Sequence, residues 1–366
     1  MIALLVALLA PGFVKVDEAV EAALKRGDCP GAVVLVVHKD EVVLRKIYGN
    51  RAVEPDKLPM TADAIFDLAS LTKPIATGTS IMMLIEQGKI RPEDKVAKHW
   101  PAFAANGKGE VTIAHLLLHS SGLTADNAEA DYKDGREKAL ERIAALKLEA
   151  PPGTRFKYSD VGFIVLGELV EKAGGVSIER FAKQHIFEPL KMNETGFNPG
   201  EAFKKRIAPT GKREGLIIHG TVHDPRAFRM GGVAGHAGLF APADDLARYC
   251  RMMLREGELD GRRILKAETV KLFTEPHDVP SDPLKKFSRS YGWDVDTAYS
   301  SQRGDHFPKG TGYGHTGFTG TSIWIDPKSQ TAIIILTNRV HPADKGNVLR
   351  LRREVANAVA DVLLPK

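Results

Sequence analysis

A serine and a lysine stand three positions apart in this sequence, as Ser70 and Lys73. Ile75, Thr79, Met82, Met83 and Glu86 continue as a helical run towards Gly88, and Pro74 is tolerated in a first turn, which predicts that the pair lies at the start of a helix. Because residues i and i+3 are neighbours on a helix, a hydroxyl and an amine would meet on one face. Such an amine can act as the base that activates a serine nucleophile. The plainer alternative is that Ser70 caps the helix and Lys73 is solvated.

Two later segments carry side chains that could complete such a site. Tyr158 lies on a loop just before a predicted helix over residues 162–173, where a phenol can hold or pass a proton. His315, Thr316 and Gly317 lie on a predicted edge strand, which could offer a backbone N–H to an oxyanion while glycine lets a substrate approach. Taken alone, Tyr158 fits a structural anchor for its loop better than a catalytic residue.

The elements that would position these residues are β-rich at both ends of the chain and mostly helical between them. We therefore predict an α/β protein of the α+β type, with an antiparallel sheet formed from both termini and flanked by helices, and a large helical insertion. The predicted parts are residues 13–90 with 285–366, which contain the sheet, and residues 91–284, with the active site between them. The patterns predict helices over 16–26, 136–148, 178–186, 243–255 and 348–364, strands over 32–38, 42–48, 312–317, 321–326 and 331–338, and a long loop over 200–239.

Composition excludes several classes of protein. The chain has 366 residues, 43% of them hydrophobic, which suffices for a full core. Its net charge of +5 is spread among acidic residues, so we expect no nucleic-acid partner. Cys29 and Cys250 are too few for a disulfide framework or a thiolate metal site.

The N-terminus is a short apolar run, Met1 to Ala10, followed by Pro11 and Gly12. It has the length of a signal-peptide hydrophobic region but lacks a basic flank, and the alternative is a core helix. We expect a possible signal segment over residues 1–12 and a periplasmic or secreted protein, otherwise a cytoplasmic one. No later stretch is long and apolar enough to predict a membrane span.

The three segments, in this order, resemble the motifs of the serine beta-lactamase and penicillin-binding protein superfamily. The resemblance is to its class C-like branch of beta-lactamases, D-alanyl-D-alanine peptidases and family VIII-type esterases, and it extends from about Val16 to Leu364. It implies a beta-lactamase/transpeptidase-like fold. Further phrases that resemble this family are Pro30-Gly31-Ala32, residues 117–123, residues 231–240 and residues 314–320.

The resemblance implies a role for each matching residue. Ser70 would be the acylated nucleophile, Lys73 would help to deprotonate it, and Tyr158 would pass the proton to the leaving group. The backbone N–H groups of Ser70 and Phe318 would bind the oxyanion. His315 would be the fourth catalytic residue, and the remaining substrate-binding candidates are Asp160, Thr316, Gly317 and His236.

Two positions depart from the family pattern. Asp160 stands where asparagine is usual, and a carboxylate can only accept hydrogen bonds unless it is protonated. His315 stands where many beta-lactamases carry lysine, and a histidine is only partly charged near neutral pH. We therefore expect activity on anionic substrates to fall as pH rises through the histidine range.

These departures favour an esterase or a D-alanyl-D-alanine-type peptidase over an efficient beta-lactamase. The expected partners are small esters, beta-lactams or peptidoglycan-type peptides. The alternatives are a class C-like beta-lactamase and a catalytically weak binding or assembly module on the same scaffold. The sequence does not decide among these substrates, nor does it give the oligomeric state.

The remaining histidines give no sign of a metal site. His219 and His223 stand four apart, but Pro225 and the nearby glycines argue against the regular helix that such a pair needs. We expect no metal and no cofactor. His223 and His236 would order the long loop, and His119 would have a structural hydrogen-bonding role.

Overall fold

The computed structural model describes residues 12–281 and 287–364. The predicted signal segment over residues 1–12 therefore lies, apart from Gly12, outside the described residues. Within the described ranges, none of the helices has both the length and the apolarity that crossing a membrane requires. Cys29 and Cys250 are buried free thiols.

The described chain alternates helices and strands, numbered here in chain order. The strands are β1 Gly31–His38, β2 Glu41–Ala52, β3 Leu58–Pro59, β4 Ile65–Asp67, β5 Gly196–Phe197, β6 Lys212–Arg213, β7 Leu216–Ile217, β8 Leu239–Pro242, β9 Glu258–Leu259, β10 Arg262–Arg263, β11 His277–Val279, β12 Phe287–Arg289, β13 Asp294–Asp296, β14 Tyr313–Thr316, β15 Ser322–Asp326 and β16 Thr331–Thr337. The α-helices are α1 Val14–Arg26, α2 Thr79–Glu86, α3 Val96–His99, α4 Ile113–Leu117, α5 Arg136–Ala144, α6 Asp160–Gly174, α7 Ile178–Ala182, α8 Pro225–Arg229, α9 Ala243–Leu254, α10 Ala267–Thr274 and α11 Leu349–Leu363.

The largest element among the described residues is a nine-stranded sheet in the order β11-β12-β13-β14-β15-β16-β1-β2-β3. At its centre β1 pairs with β16 on one side and with β2 on the other, all antiparallel. Strands from both ends of the chain are thus neighbours, which confirms the predicted fold class. The predicted domain boundaries stay a prediction.

Both faces of this sheet are covered by other parts of the chain, as the two cores that contain residues of β1 show. Val33, Leu35 and Val37 belong to the main core with the inserted helices. The alternate residues Val34 and Val36 belong to a second core with α1 and α11. Because successive strand residues point to opposite faces, a nearly continuous apolar run is what such a doubly covered strand needs.

A tight hairpin joins β1 to β2, which correspond to the strands predicted over residues 32–38 and 42–48. The turn residues Lys39 and Asp40 have φ of 48° and 69°, the left-handed values of a two-residue type I′ turn. This turn fixes the register of the first hairpin beside the central strand pair.

Two predictions about the second half of the chain were wrong. Residues 200–239 are not one long loop, because they contain a 3₁₀ turn at Glu201–Arg206, the β6–β7 hairpin and α8. Strand β14 is not a free edge along its whole length, because Gly314 pairs with Asp294 of β13. The sequence signal of β11, β12 and β13 was too short to recognise.

Candidate active site

Ser70 lies on a tight turn between β4 and α2. The backbone forms a 3₁₀ turn at Ala69–Leu71 and then a wide π-helical turn at Lys73–Gly78, where the prediction was a regular helix. Pro74 has no N–H to donate within this segment, and π-type turns recur at functional sites. The predicted proximity of Ser70 and Lys73 nevertheless holds.

The residue before the nucleophile has a strained backbone. Ala69 has φ of 46°, a left-handed value that costs a residue with a side chain roughly 1–2 kcal/mol. Its N–H donates to Asp67 Oδ1 at 2.8 Å, and the other Asp67 oxygen accepts from the N–H of His223 at 2.6 Å. Burial raises the pKa of Asp67 to about 6, although these two N–H groups oppose the shift. Asp67 therefore holds the turn that presents Ser70.

Lys73 is fully buried and lies at the centre of the candidate site. Its Nζ is 2.9 Å from Ser70 Oγ, 2.6 Å from Asp160 Oδ1 and 3.0 Å from the carbonyl oxygen of His236. Burial lowers the pKa of Lys73, but Asp160 and Tyr158 outweigh it, so the net pKa is above the ordinary value. Lys73 therefore rests as an ammonium at neutral pH, with its Nζ in contact with Asp160 Oδ1.

Tyr158 lies beside this pair, on the loop that leads into α6. Its ring centroid is 5.1 Å from Lys73 Nζ, and the ring stacks on His119 at 4.4 Å between centroids. Burial raises the pKa of Tyr158, while Lys73 and a hydrogen bond with Ser70 act in the opposite direction. His119 supports the loop from below, since its Nδ1 accepts a hydrogen bond from the Ser159 N–H at 3.0 Å.

His315 on β14 is buried, and its Nδ1 lies 2.9 Å from the Thr316 carbonyl oxygen. Burial, reinforced by the nearby cations Arg289 and Lys73, lowers the pKa of His315 well below its ordinary value. The expectation of a partly charged histidine near neutral pH is therefore wrong. Burial favours the neutral imidazole most, and the nearby cations Arg289 and Lys73 add to this effect.

Gly317 lies in close contact with Thr321 and with the backbone of Leu68. A Cβ at this position would lie 2.2 Å from Thr321 Oγ1 and 2.5 Å from the Leu68 carbonyl oxygen. The Thr319 hydroxyl also donates to the Asp67 carbonyl at 2.7 Å. The end of β14 is thus fastened to the Ser70 turn, and this contact, which the sequence did not reveal, requires the glycine.

Two cavities meet at Ser70. The first, here called the arginine-lined cavity, has a volume of about 450 Å³, and the second, the carboxylate-lined cavity, about 310 Å³. Ser70, Tyr158 and Phe318 line both. The arginine-lined cavity is defined by Arg289, Asp294, Tyr299, Gln302, His315, Thr316, Gly317, Arg339 and Arg352, and the carboxylate-lined cavity by Asp126, Asp160, His223, Asp224, Arg226 and His236.

The acidic side chains of the carboxylate-lined cavity all have partners. Asp160 pairs with Lys73, Asp224 Oδ1 lies 3.0 Å from His236 Nε2, and Asp126 lies 3.5 Å from Arg226. Burial raises the pKa of Asp224, but His236 and the N–H of Ala227 outweigh it and hold that pKa well below its usual range.

Asp160, Asp224 and His236 form the one group in the described ranges whose spacing could hold a metal ion. The Lys73 ammonium already pairs with Asp160, so the charge of this side chain is balanced without a metal ion. The His219 and His223 pair weighed from the sequence does not form such a group: His219 Nε2 lies 3.1 Å from the Ile207 carbonyl oxygen instead.

The structure brings together every predicted site residue. Ser70, Lys73, Tyr158 and Asp160 meet directly, Thr316, Gly317 and His315 line the arginine-lined cavity, and His236 lines the other. Sequence reasoning missed Arg289, Gln302 and Arg352, because they lie outside the three motifs. The one signal in the sequence was Arg289 itself, a charged residue that is followed by the apolar and small residues of 290–293.

Comparisons with known proteins find similar proteins over most of the chain. A family model described as Beta-lactamase matches residues 16–358. A Bacillus subtilis (strain 168) protein named N-acetylmuramyl-L-alanine amidase is 34% identical over 364 residues, covering 89% of this chain and 81% of the relative. An Escherichia coli (strain K12) protein, provisionally named D-alanyl-D-alanine carboxypeptidase, is 34% identical over 348 residues, covering 85% and 79%. The solved octameric penicillin-binding protein homologue from Pyrococcus abyssi superposes with a TM-score of 0.75 at 26% identity, covering 94% of this chain and 76% of that one.

Proposed function

The chain belongs to the beta-lactamase family and is a serine hydrolase, and we propose that it works through a covalent acyl-enzyme on Ser70. The observation that carries the proposal is the 2.9 Å contact between Lys73 Nζ and Ser70 Oγ, at the meeting point of two cavities. A nucleophile within hydrogen-bond reach of its base is the arrangement that covalent acyl transfer needs.

Acylation begins with the removal of the Ser70 proton. Because Lys73 rests as a cation, it accepts that proton only after giving one of its own to Asp160 across the 2.6 Å contact. Ser70 Oγ then attacks the substrate carbonyl carbon, and the oxyanion receives hydrogen bonds from the N–H groups of Ser70 and Phe318. Each such donor is worth roughly 3–4 kcal/mol of barrier.

Collapse of this intermediate expels the leaving group. Tyr158 gives its hydroxyl proton to the departing oxygen or nitrogen and regains one from Asp160 through Lys73. Water then attacks the Ser70 ester with the same groups acting in reverse, which releases the acid and restores the serine.

For the substrate, we propose an amide or ester of cell-wall type. The names of the two relatives, an N-acetylmuramyl-L-alanine amidase and a provisional D-alanyl-D-alanine carboxypeptidase, both describe cleavage of an amide bond. A cell-wall substrate would place the protein in the periplasm or outside the cell. A neutral His315 and an acidic Asp160 argue against an efficient beta-lactamase.

The test is labelling with a fluorophosphonate followed by mass spectrometry, together with hydrolysis of p-nitrophenyl butyrate. We expect one adduct, on Ser70, and at least about a 10³-fold loss of hydrolysis in Ser70→Ala. Ser80→Ala is the matched control, since Ser80 follows closely and its hydroxyl donates to the Ala76 carbonyl at 2.7 Å. An adduct on another serine, or full activity in Ser70→Ala, would refute the proposal.

A further inference from the structure

Asp67 is a buried residue that lines neither of the two cavities at Ser70. It lies at the end of β4 and is 2% exposed. Its Oδ1 accepts a hydrogen bond from the N–H of Ala69 at 2.8 Å, its Oδ2 accepts one from the N–H of His223 at 2.6 Å, and its carbonyl oxygen accepts one from the Thr319 hydroxyl at 2.7 Å. One residue that has no part in the proposed mechanism thus joins three segments around the nucleophile.

The first of these segments presents the N–H of Ser70. Ala69 has a left-handed φ of 46°, which is unfavourable for a residue with a side chain. The hydrogen bond from its N–H to Asp67 Oδ1 stabilises this conformation. Because the Ser70 N–H belongs to the peptide group that follows Ala69, the direction of this first oxyanion donor depends on Asp67.

The second segment presents the N–H of Phe318, the other oxyanion donor of the proposed mechanism. The hydroxyl of Thr319, the next residue, donates to the Asp67 carbonyl at 2.7 Å. The hydroxyl of Thr321 donates to the Leu68 carbonyl at 3.1 Å. The turn after β14 is therefore attached to the backbone that leads into Ser70, and this attachment sets the distance between the two donors.

The third segment contacts the Phe318 side chain. The phenyl ring lies 5.7 Å from the His223 imidazole, between centroids, with an angle of 25° between the two planes. The Arg339 guanidinium lies 4.5 Å from the centroid of the same ring. Phe318 is 53% exposed, so these contacts are what holds its ring, and His223 is itself held by Asp67 Oδ2. Asp67 thus also supports Phe318 through its side chain.

We propose that Asp67 is a positioning residue for the oxyanion hole, where it fixes the N–H groups of Ser70 and Phe318 relative to each other. The inference rests on the proposed function, in which these two groups bind the oxyanion, and it assigns a role to a residue outside both cavities. The oxyanion charge develops only in the transition state, so a displaced donor slows the reaction more than it weakens substrate binding.

The ionised carboxyl group of Asp67 suits this role because each of its oxygens accepts one N–H group. A protonated carboxyl group, or the amide of an asparagine, would turn a donor towards one of these two N–H groups. Protonation and amidation should therefore disturb the oxyanion hole in the same way.

Burial raises the pKa of Asp67 to about 6, although its two N–H partners oppose the shift. The charged groups that act on it are Asp224, which raises the pKa further, and Arg213, which lowers it. Burial lowers the pKa of the neighbouring His223 imidazole. The positioning should therefore be complete at alkaline pH and be lost as pH falls through about 6.

Asp67→Asn tests the assignment, with p-nitrophenyl butyrate as the substrate. At pH 8 we expect kcat to fall about 10- to 100-fold, as for a displaced oxyanion donor, while KM changes less than about threefold. Phenylboronic acid forms a tetrahedral adduct with a serine nucleophile, which places an oxygen in the oxyanion hole. Its Ki should therefore rise by about the factor by which kcat/KM falls.

The pH profile separates this role from general damage to the fold. Lys73, Asp160 and the other titratable groups are present in both proteins, so the ratio of wild-type to variant kcat/KM reports on Asp67. This ratio should shrink about five- to tenfold between pH 8 and pH 5, because a protonated Asp67 resembles asparagine. A ratio that stays constant over this range would overturn the inference.

Two variants of Thr319 test the second attachment, and they decide the question if circular dichroism shows Asp67→Asn to be unfolded. Thr319→Val removes the hydroxyl that donates to the Asp67 carbonyl and should lower kcat about tenfold. Thr319→Ser keeps this hydroxyl and should stay within about twofold of the wild type.

Asp245→Asn is the matched control. Asp245 is also a buried carboxyl group that accepts from a backbone N–H, that of Glu194 at 3.0 Å, and from the Thr195 hydroxyl at 2.8 Å. It lines neither cavity at Ser70. Its substitution should therefore leave kcat/KM and the Ki of phenylboronic acid unchanged.

Failure of this inference and failure of the proposed function give different results. A folded Asp67→Asn with the wild-type kcat, or equal losses in Thr319→Val and Thr319→Ser, overturns the positioning role alone, provided that a fluorophosphonate still labels Ser70. A wild-type protein without Ser70-dependent hydrolysis, and with Ser70 unlabelled, overturns the proposed function together with it.

Discussion

The two cavities that meet at Ser70 differ in how their charged side chains are paired. In the carboxylate-lined cavity Asp160, Asp224 and Asp126 each lie within 3.5 Å of a basic side chain. In the arginine-lined cavity Arg339 pairs with Asp344 at 2.6 Å, but Arg289 has only a long carboxylate contact, to Asp294, and Arg352 has no carboxylate partner within the described ranges.

The difference separates two uses of a buried charge. Removing one partner of a buried ion pair leaves a buried charge without compensation, which is costly. The two partners of such a pair therefore stay in contact. The pairs of the carboxylate-lined cavity thus hold the catalytic amine in place. Arg352 meanwhile donates to the carbonyls of Gly317 and Thr321, at 3.1 and 2.9 Å, and supports the end of β14. Arg289 Nε and Nη2 have no hydrogen-bond partner within the described residues, and neither has Arg352 Nε.

The largest expected effect comes from breaking the pairing of Lys73. Asp160→Ala leaves a fully buried ammonium without its carboxylate and should cost about 3–5 kcal/mol of unfolding free energy, measured by urea denaturation. Hydrolysis of p-nitrophenyl butyrate should fall as well, because the proton relay is shared by all substrates.

Asp160→Asn is the control for this variant. The amide oxygen can still accept a hydrogen bond from Lys73, so a smaller loss of stability is expected. An Asp160→Ala protein as stable as the wild type would show that the ion pair does not hold the carboxylate-lined side.

An intermediate effect is expected at Asp224. Because its folded pKa lies below that of the unfolded chain, its contribution to stability is present at neutral pH and is lost as pH falls through the folded pKa. Asp224→Asn should therefore be less stable than the wild type at pH 7, by on the order of 2 kcal/mol, and the difference should shrink below about pH 4. A difference that stays constant on acidification would contradict the charge-based explanation.

The smallest expected effect concerns the arginine-lined side. Burial, with the cations Arg289, Lys73 and Arg352, holds the pKa of His315 well below its ordinary value, and the Tyr158 ring lies 6.0 Å away. The kcat/KM ratio of an anionic ester, 3-acetoxybenzoate, to its neutral methyl ester should then change less than about twofold between about pH 5 and 8. A ratio that rises on acidification through the histidine range would show that a charged His315 favours anionic substrates.

The sequence predicted the central strands well and the outer ones poorly. Strands such as β1 and β16 are long apolar runs, because both faces of the sheet are covered, and this pattern is visible locally. Strands β12 and β13 have three residues each, which is too short for alternation to emerge, so the extension of the sheet past β14 was missed. The helix predicted to end at Leu148 ends at Ala144.

The residues of the candidate site also divide into those that the sequence predicted and those that it did not. Ser70, Lys73, Tyr158 and His315 belong to short motifs with recognisable spacing. Arg289 and Gln302 belong to no motif, because their place in the cavity depends on which backbone the fold brings beside Ser70. The neutral state of His315 likewise follows from neighbours that are remote in sequence.

The pairing of β1 with β16 also has a consequence for how the protein is made. Ala32 lies opposite Thr337, so the central strand of the sheet waits for its partner until residues up to Thr337 have been synthesised. Contacts of such high sequence separation form slowly, and an apolar strand without its partner is prone to aggregate. We expect the local helices to fold first and β1 to need protection by chaperones meanwhile. Ser70 and the strand β14 that faces it would thus meet only after the chain between them has been synthesised.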